Sequence, residues 1–253
     1  SLALHECLAR MVEDAKTEFV ARMDGDDVCL PGRFEWQMKT MLAKPRLAVV
    51  GGQVSMVNNT GQDIDRFSLL PRDFCGVLST LLFQCPIAHP TLLMRRSKIL
   101  AAGSYQVSKP MEDFDLWFRV VRVGEIINLP DIVLKYRILE YSITNQAKKS
   151  GIHTEAIRLC LRKNLATHFG ISANTFDRLW SKKHPFAFFP LLKAAQQISV
   201  LSGIDLKRVL GRPELLFSAR CYTAPSDLFS KIVYKWWSKR GERACKQLEI
   251  DGA

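Results

Sequence analysis

An α/β layered domain followed by a basic helical region is the fold class this sequence predicts, and three observations carry that expectation. Over residues 1–145, apolar residues alternate between helical spacing and short β-prone runs. An acidic stretch, Asp24-Gly25-Asp26-Asp27, falls where a strand gives way to a loop, which is where α/β sheets place their ligands. Charge divides the chain: residues 1–145 hold 17 Lys/Arg and 17 Asp/Glu, so the remaining 19 basic and 8 acidic residues carry the whole net charge of +11. A boundary near residue 146 follows, with 1–145 a domain and 146–253 a basic helical extension.

The elements read in order as follows. Leu4, Leu8, Met11, Val12 and Ala15 recur at helical spacing, and Phe19-Val20-Ala21-Arg22-Met23 is β-prone. After the acidic loop, Pro31 opens a helix with Phe34, Met38, Met41 and Leu42 on one face, ended by Pro45. Leu47-Ala48-Val49-Val50 is a buried strand and Asn58-Asn59-Thr60-Gly61 a turn. Asp73 to Gln84 reads as helical and Thr91 to Met94 as a strand. Pro110 starts a helix through Glu112, Asp113, Leu116, Trp117, Val120 and Val121, closed by Gly124. Two short strands follow, Ile126–Leu129 and Ile132–Tyr136.

Composition excludes several classes. With 253 residues, 47% hydrophobic and 24% charged, the chain is neither disordered nor fibrous. No uninterrupted apolar run reaches the roughly 18 to 20 residues that cross a bilayer. The start of the chain lacks the basic and apolar regions of a secretory signal. Seven scattered cysteines without a CxxC pair indicate neither a disulfide framework nor a zinc knuckle, so the expected compartment is reducing and cytoplasmic. Nucleic acid is not the expected partner, because no helix-turn-helix, RRM or finger signature accompanies the positive charge.

Two constellations carry chemistry. Asp24-Gly25-Asp26-Asp27 sets three carboxylates within four residues, and their repulsion calls for a cation or a basic partner. A divalent metal is one explanation, since Mg2+ and Mn2+ take one or two protein carboxylates together with phosphate oxygens. A polar turn or helix cap is the other. The second constellation, Glu112-Asp113-Phe114-Asp115-Leu116-Trp117, lies early in a helix, where acids suit the dipole. There a carboxylate could instead take a proton from an acceptor hydroxyl, and Trp117 could offer a flat apolar face to a sugar ring. His89, before Pro90, is either a packed loop histidine or a site residue of the same cleft.

Taken in order, the motifs Arg22-Met23-Asp24-Gly25-Asp26-Asp27, Leu30-Pro31-Gly32-Arg33, Val50-Gly51-Gly52, His89-Pro90-Thr91 with Arg95-Arg96, Glu112-Asp113-Phe114-Asp115-Leu116-Trp117-Phe118-Arg119, Leu129-Pro130 and Tyr136-Arg137 form a series. That series resembles the bacterial family-2 glycosyltransferases of the GT-A fold. The resemblance implies a Rossmann-like mixed sheet flanked by helices, with the helical extension after it. It implies inverting transfer of a sugar from a nucleotide-diphosphate sugar, a UDP-sugar first, to a glycan or lipid-linked acceptor in surface polysaccharide biosynthesis. Asp24, Asp26 and Asp27 would contact the donor, with Asp26 and then Asp24 as ligands of Mn2+ or Mg2+. Asp113 would be the catalytic base with Glu112 beside it. From the residues themselves, His89 and Trp117 are the candidates to face the acceptor, and Arg137, after a strand, either adds positive charge near the diphosphate or is a surface arginine. The family's opening strand and nucleoside-pocket elements, which would precede the helix at residues 4–15, are absent, so the resemblance implies a domain 1–145 that is N-terminally truncated, and the family's Tyr-Arg-x-His reads Tyr136-Arg137-Ile138-Leu139 here.

Two rival readings stand beside this one. Asp24-Gly25-Asp26-Asp27-Val28 also fits the nucleophile loop of a haloacid-dehalogenase-like phosphohydrolase, although Arg22 in the preceding strand suits that fold poorly. The other is a catalytically inactive, truncated glycosyltransferase serving as a membrane or complex partner. The C-terminal region supports membrane attachment: Leu228, Phe229, Ile232, Val233, Trp236 and Trp237 recur near helical spacing with lysines between them. Each Lys or Arg contributes about 1 kcal/mol at an anionic leaflet, which predicts a peripheral position on the inner membrane face. The same apolar faces could equally form the core of the extension, and Pro185 to Leu201 poses the same choice.

Overall fold

A computed structural model describes residues 3–68, 70–106, 111–139, 152–180 and 188–203. They fall into two compact units, one comprising the described residues of 1–77 and 85–157 and the other those of 78–84 and 158–253. The elements in chain order are α1 (Leu4–Asp14), β1 (Phe19–Ala21), β2 (Val28–Cys29), α2 (Arg33–Ala43), β3 (Leu47–Val57), β4 (Asp63–Phe67), α3 (Phe74–Thr80), a 3-10 turn (His89–Thr91), β5 (Leu93–Arg95), α4 (Arg96–Ala101), α5 (Glu112–Val120), β6 (Glu125–Arg137), α6 (Ile152–Phe169), α7 (Ala173–Trp180) and α8 (Phe188–Ser202).

The first unit is an α/β layer built on a six-stranded mixed sheet of order β1-β5-β3-β6-β2, with β4 also on β3. β3 and β6 pair in parallel, while β1 with β5, β5 with β3, β4 with β3 and β2 with β6 are antiparallel. β1, β3 and β6 therefore run in the same direction and deliver their carboxyl ends to one edge. The run Leu47-Ala48-Val49-Val50 is fully buried, as a continuous apolar strand paired on both sides requires. Met41, Val54, Leu93, Leu129, Val133 and Leu134 complete the core around it.

Three sequence expectations need correction. Pro31 does not open α2: Gly32 takes a left-handed φ of +82°, and the helix starts at Arg33. A Cβ on Gly32 would lie 2.5 Å from the Trp36 ring, so only glycine fits that turn. Nor is the apolar set the inward face of α2, because Phe34 is 49% and Leu42 66% exposed while Arg33, Gln37 and Met41 are buried. The helix is rotated toward polar strand ends that need hydrogen-bond donors. Finally, the two short strands are one, β6, with an irregularity between them: from Asn128 to Ile132 it advances four residues while β3 advances two, from Gly51 to Gln53. Pro130 sits in that bulge, where a missing N–H costs no ladder bond. The Gly51-Gly52 pair lies against it, and a Cβ on Gly52 would stand 2.5 Å from Val133.

The helix expected over Asp73 to Gln84 is regular only through Phe74–Thr80 and continues as turns. In the second unit, Arg158 and Arg162 pair with Asp177 at 3.1 and 2.9 Å, joining α6 to α7. On α8, Ala194, Ala195 and Ile198 are fully buried, so part of that apolar segment packs on protein. Among the described residues no helix is long and apolar enough to cross a membrane. The Trp236-Trp237 segment and residue 146 lie outside the described residues.

Candidate functional site

The acidic loop leaves β1 at the sheet edge where the parallel strands end, as expected for an α/β ligand site. Its charges are arranged one by one. Arg22, whose N–H donates to the Leu92 carbonyl at 3.0 Å, donates from both guanidinium nitrogens to the two Asp24 oxygens at 2.6 and 2.9 Å. Asp26 is exposed. Asp27 turns inward and is only 8% exposed; its Oδ1 accepts the Arg137 N–H at 2.8 Å, and its buried Oδ2 has no partner among the described residues. Burial pushes the Asp27 carboxyl up to about 6, with Asp24 and Asp26 adding to the rise and the Arg137 N–H opposing it.

Arg137, expected near a diphosphate, is engaged with main chain. Its Nε donates to the Asp26 carbonyl at 2.8 Å, and Nη1 to the carbonyls of Asn58 and Asn59 at 3.2 and 2.9 Å. It thereby ties the end of β6 to the acidic loop and to the turn after β3. Beneath the loop lies a polar strut that sequence reasoning missed. Arg33, 1% exposed, donates to Gln37 Oε1 at 3.3 Å and to the carbonyls of Arg22 and Leu92 at 2.9 and 3.4 Å. Gln37 in turn donates to the carbonyls of Val50 and Thr91 at 3.0 and 2.6 Å. The only sequence signal was the spacing of Arg33, Gln37 and Met41, which places them on one helical face.

The second constellation sits at the start of α5. Asp113 Oδ1 accepts the N–H of Phe114 at 2.7 Å, and the Cys85 thiol donates to Oδ2 at 3.7 Å. Burial, then the neighbouring Glu112 charge, push the Asp113 carboxyl up to about 6, while those two hydrogen bonds and Arg22 oppose the rise. A carboxylate with that affinity is suited to accept a proton near neutral pH. Glu112 is 8% exposed and its Oε2 is buried without a hydrogen bond among the described residues. Asp115 pairs with Arg119 at 3.2 Å.

His89 and the Tyr105 hydroxyl share a hydrogen bond of 2.9 Å. Burial, with Arg22 adding to it, holds the imidazole well below the usual histidine range and so neutral. Trp117 needs correction: it is fully buried and meets His89 edge-on at 6.3 Å, so it has no open face for a sugar ring. Helix periodicity explains this, because Trp117 follows Phe114 and Asp113 on the inward side of α5. The Arg22 charge is a minor influence on Asp27, Asp113 and His89 alike.

Among the described residues, no group of three or more His, Cys, Asp and Glu side chains is arranged to hold a metal ion. The exposed Asp26 and the 40%-exposed Asp24 nevertheless fit a divalent ion that brings diphosphate oxygens with it. They do not form an all-protein cage.

No protein-family model matches the chain. Similarity to individual proteins is clear. The chain is 35% identical over 138 residues to the amylovoran biosynthesis glycosyltransferase AmsE of Erwinia amylovora, covering 54% of this chain and 51% of that one. It is 32% identical over 162 residues to the O-antigen biosynthesis glycosyltransferase WbnJ of Escherichia coli, covering 62% of this chain and 63% of that one. The chain is a relative of bacterial glycosyltransferases. A third relative, 28% identical over 137 residues with 53% of this chain and 51% of that one covered, is the UDP-Glc:alpha-D-GlcNAc-diphosphoundecaprenol beta-1,3-glucosyltransferase WfgD of Escherichia coli. The chain spans 51% and 63% of the first two relatives, less than two thirds of each.

Proposed function

We propose that this chain carries the catalytic part of an inverting glycosyltransferase, with residues 1–145 as the transferase domain and 146–253 as a basic helical region. The observation that supports it most is Asp113, a carboxyl at the start of α5 that accepts the Phe114 N–H at 2.7 Å and is raised to about 6 by burial and by Glu112. In this reading Asp113 takes the proton of an acceptor hydroxyl. The freed oxygen forms a bond to the anomeric carbon on the face opposite the leaving group. The bond from that carbon to the nucleoside diphosphate breaks with its electron pair, and the configuration inverts. Glu112 keeps the Asp113 proton affinity high, and His89, neutral and engaged with the Tyr105 hydroxyl through Nε2, would face the acceptor only through its remaining ring edge.

Asp26 and Asp24 would hold a Mn2+ or Mg2+ ion, which supplies positive charge to the departing diphosphate when bound. UDP is the nucleotide the reading prefers, and a glycan or lipid-linked acceptor matches the names of the relatives. A position at the inner membrane face belongs to the same proposal. The phosphohydrolase alternative needs Asp24 as nucleophile, and both Asp24 oxygens accept from Arg22.

Calorimetric titration of UDP and GDP, with and without Mn2+, tests the donor site, and sugar transfer by Asp113→Asn tests the base. Metal-dependent nucleotide binding that is lost in Asp26→Ala is expected, together with transfer abolished in Asp113→Asn while binding persists. Equal transfer by wild type and Asp113→Asn would sink the assignment.

A further inference from the structure

The acidic loop already contains a cation. The Arg22 guanidinium is bidentate on Asp24 at 2.6 and 2.9 Å, and its side chain is 12% exposed against 40% for its partner. The main chain at residue 22 is held on both sides: its N–H donates to the Leu92 carbonyl at 3.0 Å, and its carbonyl accepts from buried Arg33 at 2.9 Å. Asp27 is committed inward to the Arg137 N–H, and Arg137 is itself occupied by three carbonyls. Any exchange at this loop therefore falls on the Arg22 side chain, whose backbone stays fixed while the fork can turn.

We propose that Arg22 is the resident counter-ion of the acidic loop, and that a divalent cation reaches Asp24 only by displacing it. This rests on the donor-site reading above. A bare ion has to compete with the arginine and leaves a partly buried guanidinium without its partner. An ion arriving with a nucleoside diphosphate does not, because the planar guanidinium fork suits two phosphate oxygens as well as two carboxylate oxygens. Arg22 thus makes loading of metal and diphosphate cooperative and keeps the loop from filling with metal alone.

Titration of Mn2+ into the full chain, followed by the electron paramagnetic resonance of the free ion, tests this in the presence and absence of UDP. Wild type should bind Mn2+ more tightly with UDP than without. Arg22→Gln should bind bare Mn2+ about fivefold more tightly than wild type, the scale of one partly exposed ion pair, and should lose most of the gain from UDP. Arg22→Lys, which keeps the charge but not the fork, should lie between. Bare-ion binding in Arg22→Gln that equals or falls below that of wild type would overturn the proposal while leaving the donor site standing. If neither protein binds Mn2+ even with UDP, the donor-site reading falls and takes the proposal with it. Wild type alone gives a check independent of variant folding: the Arg22 side-chain 15N resonances should shift on adding Mg2+ with UDP and stay in place with Mg2+ alone. Resonances unmoved by the pair overturn the proposal.

Discussion

Replacing Asp27 with Asn should make the protein more stable at pH 7 and leave it nearly unchanged at pH 4. Asp27 is 8% exposed, with one oxygen bonded to the Arg137 N–H at 2.8 Å and the other buried without a partner among the described residues. Burial raises its carboxyl from 3.8 to about 6, so the folded protein keeps this proton to a higher pH than the unfolded chain does. Between those values the folded state binds more protons, and stability falls as pH rises. The whole gap corresponds to about 3 kcal/mol, of which about 2 kcal/mol develops between pH 4 and pH 7. Asparagine keeps the acceptor for Arg137 and carries no charge to bury, so its advantage should grow over that range. Urea unfolding of wild type and Asp27→Asn at intervals from pH 4 to pH 7 gives the difference directly. A difference that stays flat with pH, or a variant less stable at pH 7, would refute the reasoning.

Two further outcomes follow from the same contacts. Cys85→Ala removes a donor that favours the ionised Asp113, so the acid limb of the pH–rate profile of sugar transfer, set near 6, should move to higher pH; an unmoved limb would show that the thiol does not tune the base. Arg33→Met leaves Gln37 Oε1 and the Arg22 carbonyl without their donor and takes from the Leu92 carbonyl the second of its two donors, which should cost about 3 kcal/mol in urea unfolding. A loss below about 1 kcal/mol would mean that water replaces the strut.

Periodicity alone made much of the fold legible. The helix at Leu4–Asp14, the strand into the acidic loop, the buried Leu47–Val50 run and the helix after Met111 all appear where the spacing of apolar residues placed them. Spacing failed where a polar residue took a core position. Arg33 and Gln37 occupy the inward face of α2 because three strand and turn carbonyls need donors there, and a pattern read from apolar residues alone rotates the helix away from them. From sequence the Pro130 bulge reads as a gap between strands for a similar reason: local sequence records the missing N–H but not the parallel neighbour that continues on either side of it.

The sequence by itself determined which residues are acidic, their order along the chain, and that one cluster ends a strand while the other begins a helix. These are local properties, fixed by side-chain chemistry and by the spacing of neighbours. Only the tertiary structure decided what each charge does, because pairing and desolvation depend on residues far apart in the chain. It turned Asp27 inward onto Arg137, buried Trp117, and placed Cys85 against Asp113. The energy of a carboxylate is set by what surrounds it, and those surroundings come from segments up to 110 residues away.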